Sequence, residues 1–374
     1  MTAIPELDFL FKSLRDQPRV PAPWTDGKAV AVYGAGSFGR SLCQTLLDQN
    51  IPISCLIDRG AKTDQTWQGL PVLHPDSLSR SQWGSLTLIV GIHNPGASVD
   101  TIVSDLTSKG CLRVLSPISA LMHLGSSFGN RYWLVAPVYY HPFESLILAA
   151  RKVFEPESLP LFDAVMAQRL TGDYGFLPAP THGIDDYAPR DVFHLPEPVR
   201  LVDGGAFDGD TIRAIQDRNI QIESIAAFEP DPANFSKLAQ WIWKHPELDA
   251  AIWPCGVYSH ASQLRFSAGE GEASALSPDG QLTIQCVALD EAIPSFRPTF
   301  LKLDVEGAEP AALMGARRMI QQHRPFISAG LYHHPAHIWQ VPLLVKELCA
   351  SYRLHLRLHA ENGFELRLYA VPSA

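Results

Sequence analysis

The stretch LVDGGAFDGDT, Leu201 to Thr211, runs from an apolar pair through Asp203 into a turn with three glycines and two further acids, Asp208 and Asp210. An apolar run of strand length that ends in a glycine turn and opens a helical pattern is the start of a βα unit in a parallel sheet. A second turn of this kind, VYGAGSFGRS at Val32 to Ser41, lies far upstream. Which ligand each turn suits depends on charge. Backbone N–H groups at such a turn hold a pyrophosphate in dinucleotide folds, and a carboxylate closing the first strand repels that dianion. Asp203 is such a carboxylate. The upstream strand ends instead in Tyr33.

A cofactor carrying cations therefore suits the downstream turn, and S-adenosylmethionine (SAM), with its methionyl ammonium and sulfonium, meets that description. Glu229, in AAFEP, ends the next strand, where a carboxylate can accept hydrogen bonds from both ribose hydroxyls. Further on, FLKLDVEGAEPAALMGA carries Lys302, Asp304 and Glu306. Spaced by two, they share one face of an extended strand. Three ionisable groups near a buried sheet end are costly unless paired or used.

The rest of the chain follows the same alternation. Apolar runs at Ala29 to Tyr33, ISCLI, TLIVGI and around Leu112 to Leu115 predict a parallel sheet in the first part. From Val199, VRLVD, IAAFE, AAIWP, IQCVAL, FLKLD and PFISAGL are six further strand candidates. YRLHLRLH and FELRLYAV meet across AENG, too short a link for a crossover helix, so that pair is antiparallel. The expectation is an α/β protein with two Rossmann-like domains, the second ending in an antiparallel hairpin. The expected boundaries are a helical arm over 1–24, a nucleotide-binding domain over 25–124, a helical connector and acceptor-side loop over 125–197, and the second domain over 198–374.

In order along the chain, LVDGGAFDGDT, AFEPDPANFSKL, VALDEAI and FLKLDVEGAEPAALMGARRMI resemble the FkbM family of SAM-dependent methyltransferases. The tail PFISAGLYHHPAHIWQVPLLV, with LTGDYGFLPAP and DYAPRDVF upstream, is similar to one branch of it. The resemblance covers roughly Phe154 to Pro372. It implies a class I methyltransferase fold, SAM as donor, and O-methylation of a hydroxyl on a sugar or small metabolite. Carried over by motif, Asp203, Gly205, Ala206, Phe207, Asp208, Gly209, Glu229 and Pro230 would bind SAM. Phe207 stands where the family more often has Asn. Asp304 and Glu306 would sit where the methyl group meets the acceptor. Proton removal from a hydroxyl makes these two, together with His333 in HHPAH, the candidate catalytic groups. His333 and His337 could also serve a metal, with Mg²⁺ on the carboxylates an alternative, but no metal residues are assigned.

The upstream GAGSFG matches a dinucleotide fingerprint in context: Gly34, Gly36, Ser37, Phe38 and Gly39 form the turn, and Asp58 ends the following strand. A bound nucleotide, NAD(P) included, and a domain that binds nothing both remain open there. The competing functions are an NAD(P)-dependent oxidoreductase built on this turn and a non-catalytic nucleotide-binding protein.

Composition narrows the classes. Among 374 residues, 30 Lys and Arg face 39 Asp and Glu, a net charge of −9 that disfavours nucleic acid as a partner. No apolar run approaches a membrane span. Six cysteines lie scattered without a CxxC pair, and the start MTAIPELDFLFKSLRDQP has no signal-peptide pattern, so a cytoplasmic protein with reduced thiols is expected. The expected partner is a small-molecule acceptor; a saccharide and a second copy of the chain stay open.

Overall fold

The computed structural model describes residues 4–16, 22–25, 27–124, 132–181, 186–267, 275–276 and 280–373. The chain divides into two units. One comprises Met1–Ser145, Pro160–Pro180 and Ala360–Phe364; the other comprises Leu146–Leu159, Thr181–His359 and Glu365–Ala374.

In the first unit, β1 (Ala29–Tyr33), β2 (Ile53–Ile57), β3 (Thr66–Trp67), β4 (Leu70–Leu73), β5 (Leu86–Val90) and β6 (Val114–Leu115) form a sheet of order β3-β4-β2-β1-β5-β6. Pairing is parallel throughout except for β3 with β4. β5 is buried along its whole length and β1 from Val30 onward, as expected of strands covered on both faces. The four strands expected from the sequence are present. The short pair β3–β4 was not anticipated, because two- and four-residue strands carry little periodicity. The helix Ser37–Asp48 that leaves the glycine turn buries Phe38, Gly39, Leu42, Cys43 and Leu46, a one-sided stripe at helical spacing.

The second unit is organised by seven strands: β7 (Val199–Gly204), β8 (Ile222–Phe228), β9 (Ala250–Trp253), β14 (Phe300–Leu303), β15 (Phe326–Gly330), β16 (Arg353–Leu358) and β17 (Leu366–Val371). Their order is β16-β17-β15-β14-β7-β8-β9, with β7, β8, β9, β14 and β15 parallel. The hairpin β16–β17 is antiparallel as expected, and β17 inserts against β15, also antiparallel. A separate sheet of order β10-β13-β11-β12 is formed by β10 (Gly256–Val257), β11 (Ser262–Ser267), β12 (Ala275–Leu276) and β13 (Leu282–Val287). IQCVAL is therefore a strand, but of this small sheet and paired antiparallel with β11.

One core of the second unit gathers Val199, Leu201, Ile212, Ile225, Leu238, Phe300 and Tyr369 between the main sheet and its helices. The helix Pro232–Trp243 starts where the sequence says it should: Asp231 accepts from the N–H groups of Ala233 and Asn234, and Pro232 occupies the first turn. Among the described residues no helix is long and apolar enough to cross a membrane.

Candidate active site

The parallel strands β8, β7 and β14 point their carboxyl ends at one crevice, the usual ligand position in open α/β sheets. Lys302 and Asp203 are register partners on adjacent strands. Both are buried, and the Lys302 Nζ lies 3.1 Å from the Asp203 carboxylate. Nζ also donates to the Gly205 carbonyl. Burial pushes Asp203 up to about 6 against the pull of Lys302, while Asp203 and its acidic neighbours hold Lys302 above the ordinary lysine value against the desolvation of its own charge. The negative charge that the sequence places at this strand end is thus answered inside the fold.

The turn itself is tightly specified. The N–H groups of Gly205 and Ala206 both donate to the Phe228 carbonyl, at 2.9 and 3.0 Å. Gly205 has φ +78°, and a Cβ there would lie 1.9 Å from the Asp304 carbonyl oxygen. Phe207, at φ +47°, donates its N–H to Glu229 at 2.8 Å. The other Glu229 oxygen accepts from Asp231 N–H at 2.8 Å. Burial raises Glu229 to about 7 despite these donors. Gly209, with φ +92°, caps the helix Asp210–Asp217. Asp208 pairs with Arg213, and Asp210 accepts from the Tyr187 hydroxyl at 2.5 Å. Glu229, with Pro230 after it, and the turn from Gly205 to Gly209 therefore form one contiguous surface at the ends of β7 and β8.

The candidate catalytic groups lie past the end of β14. The strand stops at Leu303, and Glu306 adopts φ +51°, so Lys302, Asp304 and Glu306 do not share an extended face as the spacing suggested. A turn brings them together instead. Asp304 is bound by Arg367 at 2.6 Å and by the Tyr332 hydroxyl at 3.2 Å. His333 Nε2 lies 3.4 Å from Asp304 and 3.6 Å from Glu306. Its Nδ1 lies 2.7 Å from the buried Glu309, whose other oxygen lies 3.2 Å from His337 Nδ1. Glu309 also accepts from the Val305 N–H.

Burial opposes every charge here and loses at three of them. Arg367, Lys302 and His333 hold Asp304 well below the usual carboxylate range, and His333 and His337 do the same for Glu309. Burial favours neutral His333, but Glu309, Glu306 and Asp304 outweigh it and raise the imidazole to about 10. Glu306 is the exception: burial raises it to about 8 in spite of His333.

Asp304, Glu309 and His333 bring one donor atom each within 4.8 Å of one another, a spacing that a divalent cation can use. The imidazolium of His333 already balances these carboxylates. Sequence reasoning missed Arg367, Tyr332, Glu309 and Tyr187. A buried arginine in the apolar strand LRLYAV and a second glutamate three residues beyond Glu306 were the available signals.

In the first unit, Gly34 has φ +110° and packs against Gly91 and Ile92, and Gly39 against Gly34 and Gly91. Ala35 N–H donates to Asp58 at 2.7 Å, and the other Asp58 oxygen accepts from Gly60 at 2.7 Å. Gly36, followed by Ser37 and Phe38, opens the helix with no side-chain cap.

An open sheet with the glycine turn, acidic strand ends and crevice at its carboxyl edge has the layout of a Rossmann-like ligand site. Residues 203–366 match the model of the methyltransferase FkbM domain. The crystal structure of methyltransferase FkbM from Methylobacillus flagellatus KT is similar with TM-score 0.76 and 18% identity, covering 92% of this chain and 90% of that one. At that identity it bears on the fold, which it matches through both units. Two further structures have TM-scores too low to carry an argument. Precorrin-6y C5,15-methyltransferase from Geobacter metallireducens GS-15 gives 0.31 at 12% identity, covering 51% of this chain and 85% of that one. Aeropyrum pernix fibrillarin with natively bound S-adenosyl-L-methionine gives 0.30 at 12% identity, covering 47% and 68%. No curated protein matches the chain.

Proposed function

We propose that the second unit binds SAM along the turn from Asp203 to Gly209 and transfers its methyl group to a hydroxyl of a sugar or other small metabolite. The observation that carries this reading is Glu229: a carboxylate just past β8 spreads over the glycine turn of β7, where a ribose diol finds two acceptor oxygens. The residues fit the cofactor. Positive φ at Gly205, Phe207 and Gly209 folds the turn back so that backbone approaches the ligand closely, and Asp210 adds an acid beside it. When bound, SAM supplies an electrophilic methyl on a sulfonium.

The chain's own residues divide the remaining work. Asp304, kept ionised by Arg367, accepts a hydrogen bond from the acceptor and fixes its direction. Glu306 takes the hydroxyl proton as the oxygen–carbon bond forms and the carbon–sulfur bond breaks. His333, cationic at neutral pH, holds the two carboxylates at the spacing seen here. With Glu306 near 8, turnover rises with pH through that value as its carboxylate ionises.

Titration calorimetry with SAM and S-adenosylhomocysteine (SAH), followed by mass spectrometry of labelled methyl transfer to a panel of hydroxylated acceptors, tests the reading. Micromolar binding that Glu229→Ala weakens at least tenfold, with turnover retained in Asp58→Ala, is the expected result. Failure of the wild-type chain to bind either compound refutes it.

A further inference from the structure

The segment Asp186–Tyr187–Ala188 has no regular structure, yet it is pinned on both sides. The Asp186 carbonyl accepts from the Tyr369 hydroxyl, and its carboxylate lies 3.1 Å from His359. The Ala188 carbonyl accepts from Arg218 at 2.6 Å, and Ala188 is buried in the core of the second unit. Between these anchors the Tyr187 ring is laid over two cations. Lys302 Nζ lies 5.3 Å from its centroid, and the Arg367 guanidinium carbon lies 4.7 Å from it. Both residues are 1% exposed.

These are the cations that pair with Asp203 on the donor side and with Asp304 on the acceptor side. Arg367 Nη2 donates to Asp304 and Glu365, while its Nε and Nη1 find no hydrogen-bond acceptor among the described residues, and the ring face covers the guanidinium. The Tyr187 hydroxyl bonds Asp210, at the start of the helix that follows the glycine turn. One side chain therefore touches both charge pairs and the turn.

We infer that Tyr187 tunes the field where the methyl donor sits, screening two buried and paired cations from the sulfonium so that the surrounding carboxylates dominate there. The inference rests on the SAM reading above and deepens it. Lys302 and Arg367, though paired with carboxylates, each oppose a positive ligand placed beside them. A π face over both cations lowers that repulsion and presents its own negative quadrupole. Tyr187 is a positioning residue by this argument: it acts on the donor through the charges it covers.

SAM and SAH differ at the sulfur by a methyl group and one positive charge, so the ratio of their affinities reads the local potential. Calorimetric titration of both against the full-length wild type, Tyr187→Leu and Tyr187→Phe makes the measurement. Leucine keeps apolar bulk and removes the π face. In that variant SAM affinity falls about tenfold relative to SAH. Phenylalanine keeps the ring and frees Asp210, so the ratio stays within about twofold of wild type or moves slightly toward SAM. A ratio unchanged in Tyr187→Leu overturns the inference, whether both affinities persist or fall in parallel. Wild type that binds neither compound overturns instead the donor reading beneath it.

Discussion

In the first unit the carboxylate of Asp58, just past β2, accepts the N–H of Ala35 at 2.7 Å; in the second, the carboxylate of Glu229, just past β8, accepts the N–H of Phe207 at 2.8 Å. Each acid follows the strand beside the one that carries the glycine turn, and each clips that turn by a backbone amide. The surroundings then diverge. β1 ends in Tyr33 and carries no acid of its own. β7 carries Asp203 one residue before its end, buried against Lys302, with a second pair, partly buried Asp304 with buried Arg367, one strand away. The same backbone device thus lacks a buried ion pair beside it in the first turn, among the described residues, and lies against compensated charge in the second. What separates the two turns is therefore the side chains supplied by β14 and β17, not the glycine pattern.

The largest effect expected from this contrast comes from breaking the buried pair. Lys302→Met leaves the buried Asp203 without its cation, which costs about 4 kcal/mol. Lys302→Met combined with Asp203→Leu recovers most of that loss, since two apolar groups need no partner. Urea unfolding followed by tryptophan fluorescence measures both. A single variant as stable as wild type would mean that the pair is not a structural element of the second turn.

The next test sits on the backbone. Gly205→Ala forces a side chain into a positive-φ position and within 1.9 Å of the Asp304 carbonyl oxygen. Because the obstacle is backbone, β14 must move, and about 3 kcal/mol is expected. The same melt would show a loss in donor affinity, since the displaced atom belongs to Asp304. Unaltered stability would show that the turn has slack.

Third comes pH. Glu229 titrates near 7 in the folded chain against an ordinary value of 4.5. The native state therefore holds its proton over that interval more firmly than the unfolded state, and this contribution to stability is full below about 4.5 and lost as pH rises through 7. Glu229→Gln removes the cost of an ionised buried carboxyl but supplies an NH₂ where one of two backbone donors needs an acceptor. The net expectation at pH 8 is a gain of about 1–2 kcal/mol over wild type, which disappears by pH 4, while SAM affinity drops. Thermal melts of both proteins across that range decide it. A difference that does not vary with pH rules out the burial argument.

The same contrast shows what could be read before the structure. Both glycine turns, the acids at the strand ends and the terminal hairpin are local features, written in runs of a few residues, and each lies where its pattern puts it. The partners of those acids are not local. Arg367 reaches Asp304 because β17 inserts beside β15 with Arg367 opposite Gly330, a register that no short window of sequence contains. Glu309 lies between His333 and His337 because a helix starting at Glu309 packs against the turn after β15. The acidity of the second turn was legible in Asp203, but its neutralisation was not.

The smallest effect belongs to the first turn and tests whether the two turns are packed alike. Gly36 is the cap of the helix Ser37–Asp48 at φ −73°, a conformation that alanine adopts freely. A Cβ on it would meet nothing within 4 Å, whereas one on Gly39 would meet the Gly34 carbonyl oxygen at 2.0 Å. The first turn thus packs its outer glycines against the end of β5 and leaves the middle one facing open space; the second presses Gly205 into the end of β14. Gly36→Ala should therefore melt within about 1 °C of wild type, in contrast to Gly205→Ala. Because folding does not sense the added methyl, the variant also isolates ligand access. NAD(H), NADP(H) and ADP compared by thermal shift report on this turn through any protection of wild type that the alanine variant lacks. A fall of several degrees in the unliganded variant would mean that Gly36 is packed after all, and the distinction drawn between the two turns would fail at its most exposed residue.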